Sequence, residues 1–200
     1  MATMVPDSQA VLADLATFFR IGVREYDEMV AAGILTTEDR VELLDGYLVK
    51  KMAQNEPHSS TVQRLTIDLV RVLPAGWQPR IQLPIQLSES VPEPDAAIVR
   101  GDRRTFSLRK PEPADFGIVV EVSDTTLRVD RDYKSTLYAR DGLPCYWIVN
   151  LIDRRIEVFT EPVPAEGLYR TRVDYPCGQS VPLVLDGVEV GRLAVDEWMP

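Results

Sequence analysis

Two acidic residues and one lysine have the types and spacing needed for metal-dependent hydrolysis of a phosphodiester bond. Asp95 begins the apolar run Asp95-Ala-Ala-Ile-Val-Arg, and Glu121 directly follows Ile118-Val-Val. Mg²⁺ prefers carboxylate and water oxygens, and it can neutralise phosphate charge and make hydroxide available near neutral pH. Lys134 could orient the attacking water and offset the negative charge that develops on the phosphorus oxygens. We therefore predict Asp95 and Glu121 as ligands of one metal ion.

Each of these residues also has a simpler structural interpretation. A Pro-Asp pair can cap a turn, and a single glutamate at a strand end is often solvated. Lys134 lies four residues after Asp130, so the two could form an ordinary ion pair on a helix surface. Glu121 is the hardest to explain in this way, because a carboxylate flanked by core residues must be paired, protonated or bound to a metal.

Three further side chains are candidates for auxiliary roles. Glu42 lies between Val41 and Leu43 and could supply a third carboxylate or form an ion pair on a hairpin. His58 is the only histidine of the chain, and at a predicted helix start it could contact the substrate or a metal-bound water. Ser123 shares a strand face with Glu121, from which it could donate a hydrogen bond to a ligand.

The elements that must position these residues follow from the local patterns. Strands are predicted over 95–100 and 116–122, and antiparallel pairing would bring Asp95 and Glu121 to a common metal. A helix is predicted over 130–141, ending at Gly142. Lys134 can reach the two acids only if this helix folds back over the end of the second strand.

The remaining patterns set the fold class. Helical spacing over 8–33 predicts two short helices, Asp45-Gly46 predicts a two-residue hairpin turn, and Pro57 begins a third helix. The apolar stripe of the third helix consists of Val62, Leu65, Leu69, Val70 and Leu73. Further strands are predicted over 77–87, 144–150, 155–160, 168–173 and 180–185. This order predicts an α/β or α+β fold, with a mixed sheet flanked by helices and a β-rich C-terminal part.

Length and composition bound the class of protein. Two hundred residues with 45% hydrophobic content suit one domain over 1–200, with 1–25 as a helical N-terminal extension. No apolar run approaches the roughly 20 residues of a membrane span, so we expect a cytoplasmic protein without membrane contact. Cys145 and Cys177 form no CxxC pattern and are predicted to fill core space, which argues against zinc or thiol chemistry.

The net charge weighs against a polyanionic substrate. There are 22 Lys and Arg residues against 31 Asp and Glu, a formal net charge of −9, which lowers nonspecific affinity for DNA. Basic residues nevertheless cluster at Arg100, Arg103, Arg104, Arg109 and Lys110, and again at Arg128, Arg131 and Lys134. A local basic patch could override the average, although solvated loop charges explain the first cluster equally well.

An ordered series of short motifs resembles a known family. The motifs are Glu42-Leu-Leu-Asp-Gly, Pro57-His58, Pro94-Asp95, Val120-Glu121-Val-Ser123, Asp130 with Lys134, Tyr138-Ala, and Tyr146-Trp-Ile-Val-Asn. From Tyr26 to the C-terminus, the chain is similar to the Uma-type putative restriction endonucleases of the PD-(D/E)XK nuclease superfamily. The series is much more specific than any one of its members.

The resemblance implies a restriction-endonuclease-like core and a DNA endonuclease activity. It implies Mg²⁺, which Mn²⁺ can replace, on the carboxylates matching Asp95 and Glu121. Lys134 would fill the lysine role from a helix, because Ser123 stands at the usual third motif position. Glu42 matches the early acidic position of the family and His58 its helix-start histidine. Homodimers are common in such folds, so a homodimer is expected.

Two other functions remain open at the level of the sequence. A noncatalytic interaction or regulatory protein could have kept the nuclease fold, which the net charge of −9 favours. A metal-dependent hydrolase could also act on another phosphodiester, such as RNA or a nucleotide.

Overall fold

A computed structural model of the protein describes residues 19–200. The first of the two helices predicted over 8–33, and most of the extension predicted over 1–25, lie outside these residues. Helix α1 spans Val23–Ala31 and matches the second predicted helix.

A β-hairpin follows α1 and carries the first candidate acid. Strands β1 (Val41–Leu44) and β2 (Tyr47–Lys50) pair antiparallel. The two turn residues have positive φ angles, 48° at Asp45 and 80° at Gly46, as a type I′ turn requires. The predicted hairpin is therefore confirmed, and Glu42 lies on its first strand.

Helix α2 spans Glu56–Val72 and packs on the sheet through one apolar face. Its first turn is capped by Asn55, whose side-chain oxygen accepts a hydrogen bond from the backbone N–H of His58 at 3.1 Å. Val62, Leu65 and Leu69 of the predicted stripe are buried. Val70 is 64% exposed, so its assignment to the stripe was wrong, because one residue past Leu69 is a rotation of about 100° around the helix.

Within the described part of the chain, six strands form one mixed sheet in the order β3-β4-β5-β6-β7-β8. They are β3 (Trp77–Ile81), β4 (Ala96–Arg100), β5 (Phe116–Ser123), β6 (Cys145–Asn150), β7 (Arg155–Val163) and β8 (Leu168–Pro176). Only β5 and β6 pair in parallel. A parallel pair requires a crossover, and here it contains a π-helix (Val129–Lys134) and helix α3 (Ser135–Arg140).

The sheet has a packed apolar layer on each face. One layer holds α2 and a second hairpin, β9 (Ser180–Leu185) with β10 (Val188–Ala194), and the other lies beneath α3. Cys145 and Cys177 are half-buried free thiols that pack against the first layer. This mixed α+β architecture confirms the predicted fold class.

Some element boundaries differ from the sequence prediction. The strand predicted over 77–87 ends at Ile81, where Gln82 has a φ of 49° that interrupts the extended chain. Strand β10 was not predicted. Within residues 19–200, every helix is too short or too polar to span a bilayer.

Gly117 allows the sheet to approach the second hairpin closely. A Cβ atom at this position would lie 2.5 Å from Cδ2 of Leu185 and 2.8 Å from Cζ3 of Trp77. We expect Gly117→Ala to lower the free energy of unfolding by about 1–3 kcal/mol, because the surrounding core must shift. Urea unfolding measures the change. In a Leu185→Ala background the same substitution should cost less, and equal costs in both backgrounds would contradict this packing argument.

Candidate functional site

The ends of β4 and β5 bring Asp95 and Glu121 together. The two strands are antiparallel with Ala96 opposite Val120, so the residue before β4 lies beside the last residues of β5. The backbone N–H of Val122 donates to Oδ2 of Asp95 at 2.8 Å. Asp95 is 8% exposed and Glu121 4% exposed. This is the antiparallel convergence that the sequence predicted.

Lys134 lies at the centre of a group of carboxylates. Its ammonium donates to Oε1 of Glu121 at 2.9 Å, and it lies 3.9 Å from Oδ1 of Asp130 and 4.0 Å from Oε1 of Glu42. The lysine side chain is 12% exposed and that of Asp130 3%. The alternative of an ordinary surface pair with Asp130 is therefore wrong, and the crossover does fold back over the strand end.

The π-helix that carries Lys134 is held on two sides. Oδ2 of Asp130 accepts hydrogen bonds from the hydroxyls of Ser123 and Thr126, each at 2.6 Å. Nε of Arg131 donates to Oε2 of Glu157 at 2.8 Å, and its Nη2 donates to the other oxygen of the same carboxylate. π-helical turns are rare in proteins, and those that occur are often found at functional sites. These contacts fix the part of the helix from which the lysine extends.

The auxiliary candidates occupy different positions relative to the site. Oε2 of Glu42 accepts a hydrogen bond from the backbone N–H of Glu93 at 3.0 Å. Nε2 of His58 lies 3.1 Å from Oδ2 of Asp95, so the histidine contacts a candidate ligand directly. Ser123 is fully buried and donates to Asp130, which gives it a supporting place where the sequence suggested a ligand contact.

Six side chains of the candidate site line one cavity of about 280 Å³. Its lining includes Glu42, His58, Asp95, Glu121, Asp130 and Lys134. Ser123 is absent from this lining. We call this space the catalytic cavity, after the role that is proposed for it below.

Three residues of the site were not proposed from the sequence. Asp130 joins the carboxylate group, the hydroxyl of Tyr138 donates to Oε1 of Glu121 at 2.7 Å, and the amide of Gln82 donates to Oδ1 of Asp95 at 3.2 Å. Asp130 and Tyr138 lie four residues before and after Lys134, a helical spacing that could have identified them. Gln82 carried no such signal, because it reaches Asp95 only through the pairing of β3 and β4.

Burial and charge change the acidity of the cluster. Burial raises the pKa of Glu121 to about 8; the Lys134 ammonium opposes this change, while Asp130 and Asp95 add to it. Burial lowers the pKa of Lys134, but Glu121, Glu42 and Asp130 outweigh that effect and hold the pKa above its ordinary value. Lys134 therefore keeps its proton at neutral pH. Because Glu121 holds its proton more tightly than a free carboxyl group, a metal ion that binds to it must displace that proton.

The donor set suits a hard cation that needs few protein ligands. Among residues 19–200, no three His, Cys, Asp or Glu side chains form a ready metal site. Mg²⁺ is usually held by one or two carboxylates, with waters and phosphate oxygens completing its shell. Asp95 and Glu121 supply two carboxylates in one cavity, so the residues present fit Mg²⁺ bound together with a phosphodiester.

The basic clusters seen in the sequence are largely paired with acids. Arg100 contacts Asp186 at 2.6 Å, Arg109 contacts Asp115 at 2.6 Å and Lys110 contacts Asp27 at 2.5 Å. Arg131 and Lys134 of the second cluster are paired with Glu157 and Glu121. These residues therefore add little to an open basic patch.

Two comparisons with known proteins find matches. A family model described as Uma2, putative restriction endonuclease, matches residues 23–195. The fold is similar to a crystal structure of a putative nuclease belonging to DUF820 from Anabaena variabilis ATCC 29413, with a TM-score of 0.64 and 13% sequence identity. The similarity covers 84% of this chain and 94% of that chain. A search of curated proteins finds no match.

Proposed function

Because the chain belongs to the Uma2 family of putative restriction endonucleases, we propose that it is a Mg²⁺-dependent endonuclease that hydrolyses DNA phosphodiester bonds in the catalytic cavity. The observation that carries the proposal is the convergence of Asp95, Glu121 and Lys134 on one cavity. The family and the similar fold support a nuclease. The metal and the DNA substrate are our proposal.

Asp95 and Glu121 hold the metal ion in this proposal, and Mn²⁺ can replace Mg²⁺. When bound, the ion would neutralise phosphate charge and lower the pKa of a coordinated water. The hydrogen bond from Gln82 and the contact with His58 fix the Asp95 carboxylate. Gln82 and His58 therefore act by positioning the carboxylate of Asp95.

Lys134 remains an ammonium and donates hydrogen bonds to the attacking water or to a phosphate oxygen. Its contact with Glu121 sets its direction. Since the ammonium is buried, its charge is screened less than it would be at the surface. Glu42 lies 4.0 Å from the ammonium and offers one more carboxylate for the ion or its waters.

Metal binding is the first measurable consequence. We expect the protein to bind Mn²⁺ with a rise in melting temperature, because a ligand that binds only the folded state stabilises it. Asp95→Asn should weaken binding at least about tenfold, since asparagine keeps the shape of the side chain but removes the negative charge that attracts the ion. Calorimetry and thermal unfolding measure both effects. The matched control is Asp186→Asn at an exposed carboxylate paired with Arg100, which should bind like the wild type.

Plasmid cleavage tests the activity itself. The wild-type protein should cut supercoiled DNA with Mg²⁺ or Mn²⁺, and Asp95→Ala should not. Parallel assays on RNA of the same sequence separate DNA hydrolysis from the action on another phosphodiester. Equal rates for the wild type and Asp95→Ala would refute the site assignment.

A noncatalytic interaction protein is the second candidate function. The net charge of −9 favours it, as does the pairing of the basic clusters with acids, because both reduce attraction to a polyanion. A folded wild-type protein that binds no Mn²⁺ would support this function and exclude the nuclease.

We also propose that the protein forms a homodimer. Its two catalytic cavities would then act on the two strands of a DNA duplex. The mass of the protein in solution tests this proposal.

A further inference from the structure

A second cavity of about 630 Å³ lies beside the catalytic cavity. We call it the side cavity; α1, the exit of the β1–β2 hairpin and the chain after β3 enclose it. The two cavities share the lining residues Glu42, Lys51, Met52, Gln54 and Glu93. Gln82 also lines the side cavity, and its amide donates to Asp95 at 3.2 Å. A group in the side cavity would therefore be separated from a candidate metal ligand by a single side chain.

The side cavity has apolar walls that are open to solvent. Val30 is 48% exposed, Met52 64% and Leu83 44%, and Tyr26 and Leu35 complete this wall. Binding sites for small molecules are typically cavities of about 300–1,000 Å³ with mostly apolar linings and a few polar groups. The size and lining of the side cavity are of this kind.

The charges around the side cavity favour an uncharged occupant. Lys51 contacts Glu93 at 2.6 Å, and Lys110 contacts Asp27 at 2.5 Å, so each ammonium is already offset by a carboxylate. The guanidinium of Arg40 donates to the carbonyl of Met52 at 3.2 Å. A phosphate group would meet as many acids as bases here. A flat, neutral, partly apolar group fits this lining better.

We propose that the side cavity receives an unpaired nucleobase from the nucleotide next to the cleaved phosphodiester. The proposal rests on the proposed nuclease function, which places a phosphate in the adjoining catalytic cavity. A base that leaves a duplex must be unstacked and unpaired, whereas a base in a single strand avoids that cost. The preferred substrate is therefore single-stranded or locally unpaired nucleic acid.

Cleavage of matched oligonucleotides tests this preference. With Mn²⁺, we expect a single-stranded DNA oligonucleotide to be cut at least about tenfold faster than its duplex. This ratio follows from the free energy needed to unpair and unstack one base of the duplex. A single abasic residue beside the cleaved bond should remove most of that advantage. Duplex cleaved as fast as single strand, or no effect of the abasic residue at any position, would overturn the proposal.

Filling the cavity tests its location. Leu83→Trp places a large side chain in the side cavity. Val184→Trp is the control, because it places the same side chain at an exposed position of β9 outside that cavity. Only Leu83→Trp should abolish the faster cleavage of single-stranded DNA. Neither variant changes a residue of the catalytic cavity, so both should keep Mn²⁺ binding. An equal loss in both variants, or in neither, would contradict the assignment.

A binding measurement separates this proposal from the proposed function. With Ca²⁺ in place of Mn²⁺, thymidine 5′-monophosphate should bind about tenfold tighter than 2-deoxyribose 5-phosphate, since a stacked base contributes about this much or more. Leu83→Trp should make the two affinities equal. Equal affinities in the wild type would overturn the side-cavity proposal even if DNA is cut. If thymidine 5′-monophosphate binds more tightly than 2-deoxyribose 5-phosphate but no nucleic acid is cleaved, the nuclease function is refuted and base binding in the side cavity is not.

Discussion

Lys134→Met should lower the rate constant of DNA cleavage by about 10²–10³-fold, the usual effect of removing one donor that stabilises charge in a transition state. Methionine keeps the length of the side chain and removes the ammonium that contacts Glu121 at 2.9 Å. Single-turnover cleavage with saturating Mn²⁺ measures the change. Because the ammonium competes with the ion for the same carboxylates, Mn²⁺ affinity should be unchanged or higher.

The combination of slow chemistry and intact metal binding distinguishes Lys134 from the acids. Asp95→Asn should lose both DNA cleavage and tight Mn²⁺ binding. Arg128→Met is the matched control, since Arg128 is a 92% exposed basic residue just before the π-helix. Lys134→Met also leaves three acids without their cation in the metal-free protein, so its folding is checked with Mn²⁺ present. A variant that binds Mn²⁺ and cuts DNA at the wild-type rate would remove Lys134 from the mechanism.

Glu157→Gln should lower the free energy of unfolding by about 3 kcal/mol. This value is near the lower end of the range for breaking a buried ion pair, because the arginines that contact Glu157 are themselves partly exposed to water. Glu157 is fully buried, and Arg131 and Arg172 contact its carboxylate from the π-helix and β8. The amide of Asn150 donates to the same carboxylate at 2.7 Å. The substitution removes the charge around which these groups are arranged. Urea unfolding measures the loss.

Glu161→Gln is the control for this prediction, because Glu161 is an exposed acid on the same strand. Its unfolding free energy should change by less than about 0.5 kcal/mol. Glu157→Gln should also slow DNA cleavage, because Arg131 joins Glu157 to the helix that carries Lys134. A Glu157→Gln protein as stable as Glu161→Gln would show that the buried charge contributes nothing net to stability.

Local chemistry in the sequence was sufficient for most elements of the fold. The Asp45-Gly46 turn, the start of α2 near Pro57 and the strands before and after the crossover each depend on residues that are neighbours in the chain. Where the sequence failed, the cause was tertiary. Val70 is apolar and helical, yet it faces solvent, and Gln82 interrupts a run that otherwise suits a strand.

The sequence by itself determined which residues could do the chemistry. Asp95, Glu121 and Lys134 were identified by residue type, by the apolar runs around the acids and by the order of short motifs. Residue type and local pattern are properties of neighbouring positions, so they can be interpreted without a structure.

Only the tertiary structure decided how those residues meet and which others join them. The antiparallel pairing of β4 and β5 places Asp95 beside the end of β5, and the π-helix turns Lys134 toward three carboxylates. Gln82 and the side cavity also arise from contacts between distant segments. Register, helix type and cavity shape are set by the packing of the whole chain, and no short stretch of sequence contains that information.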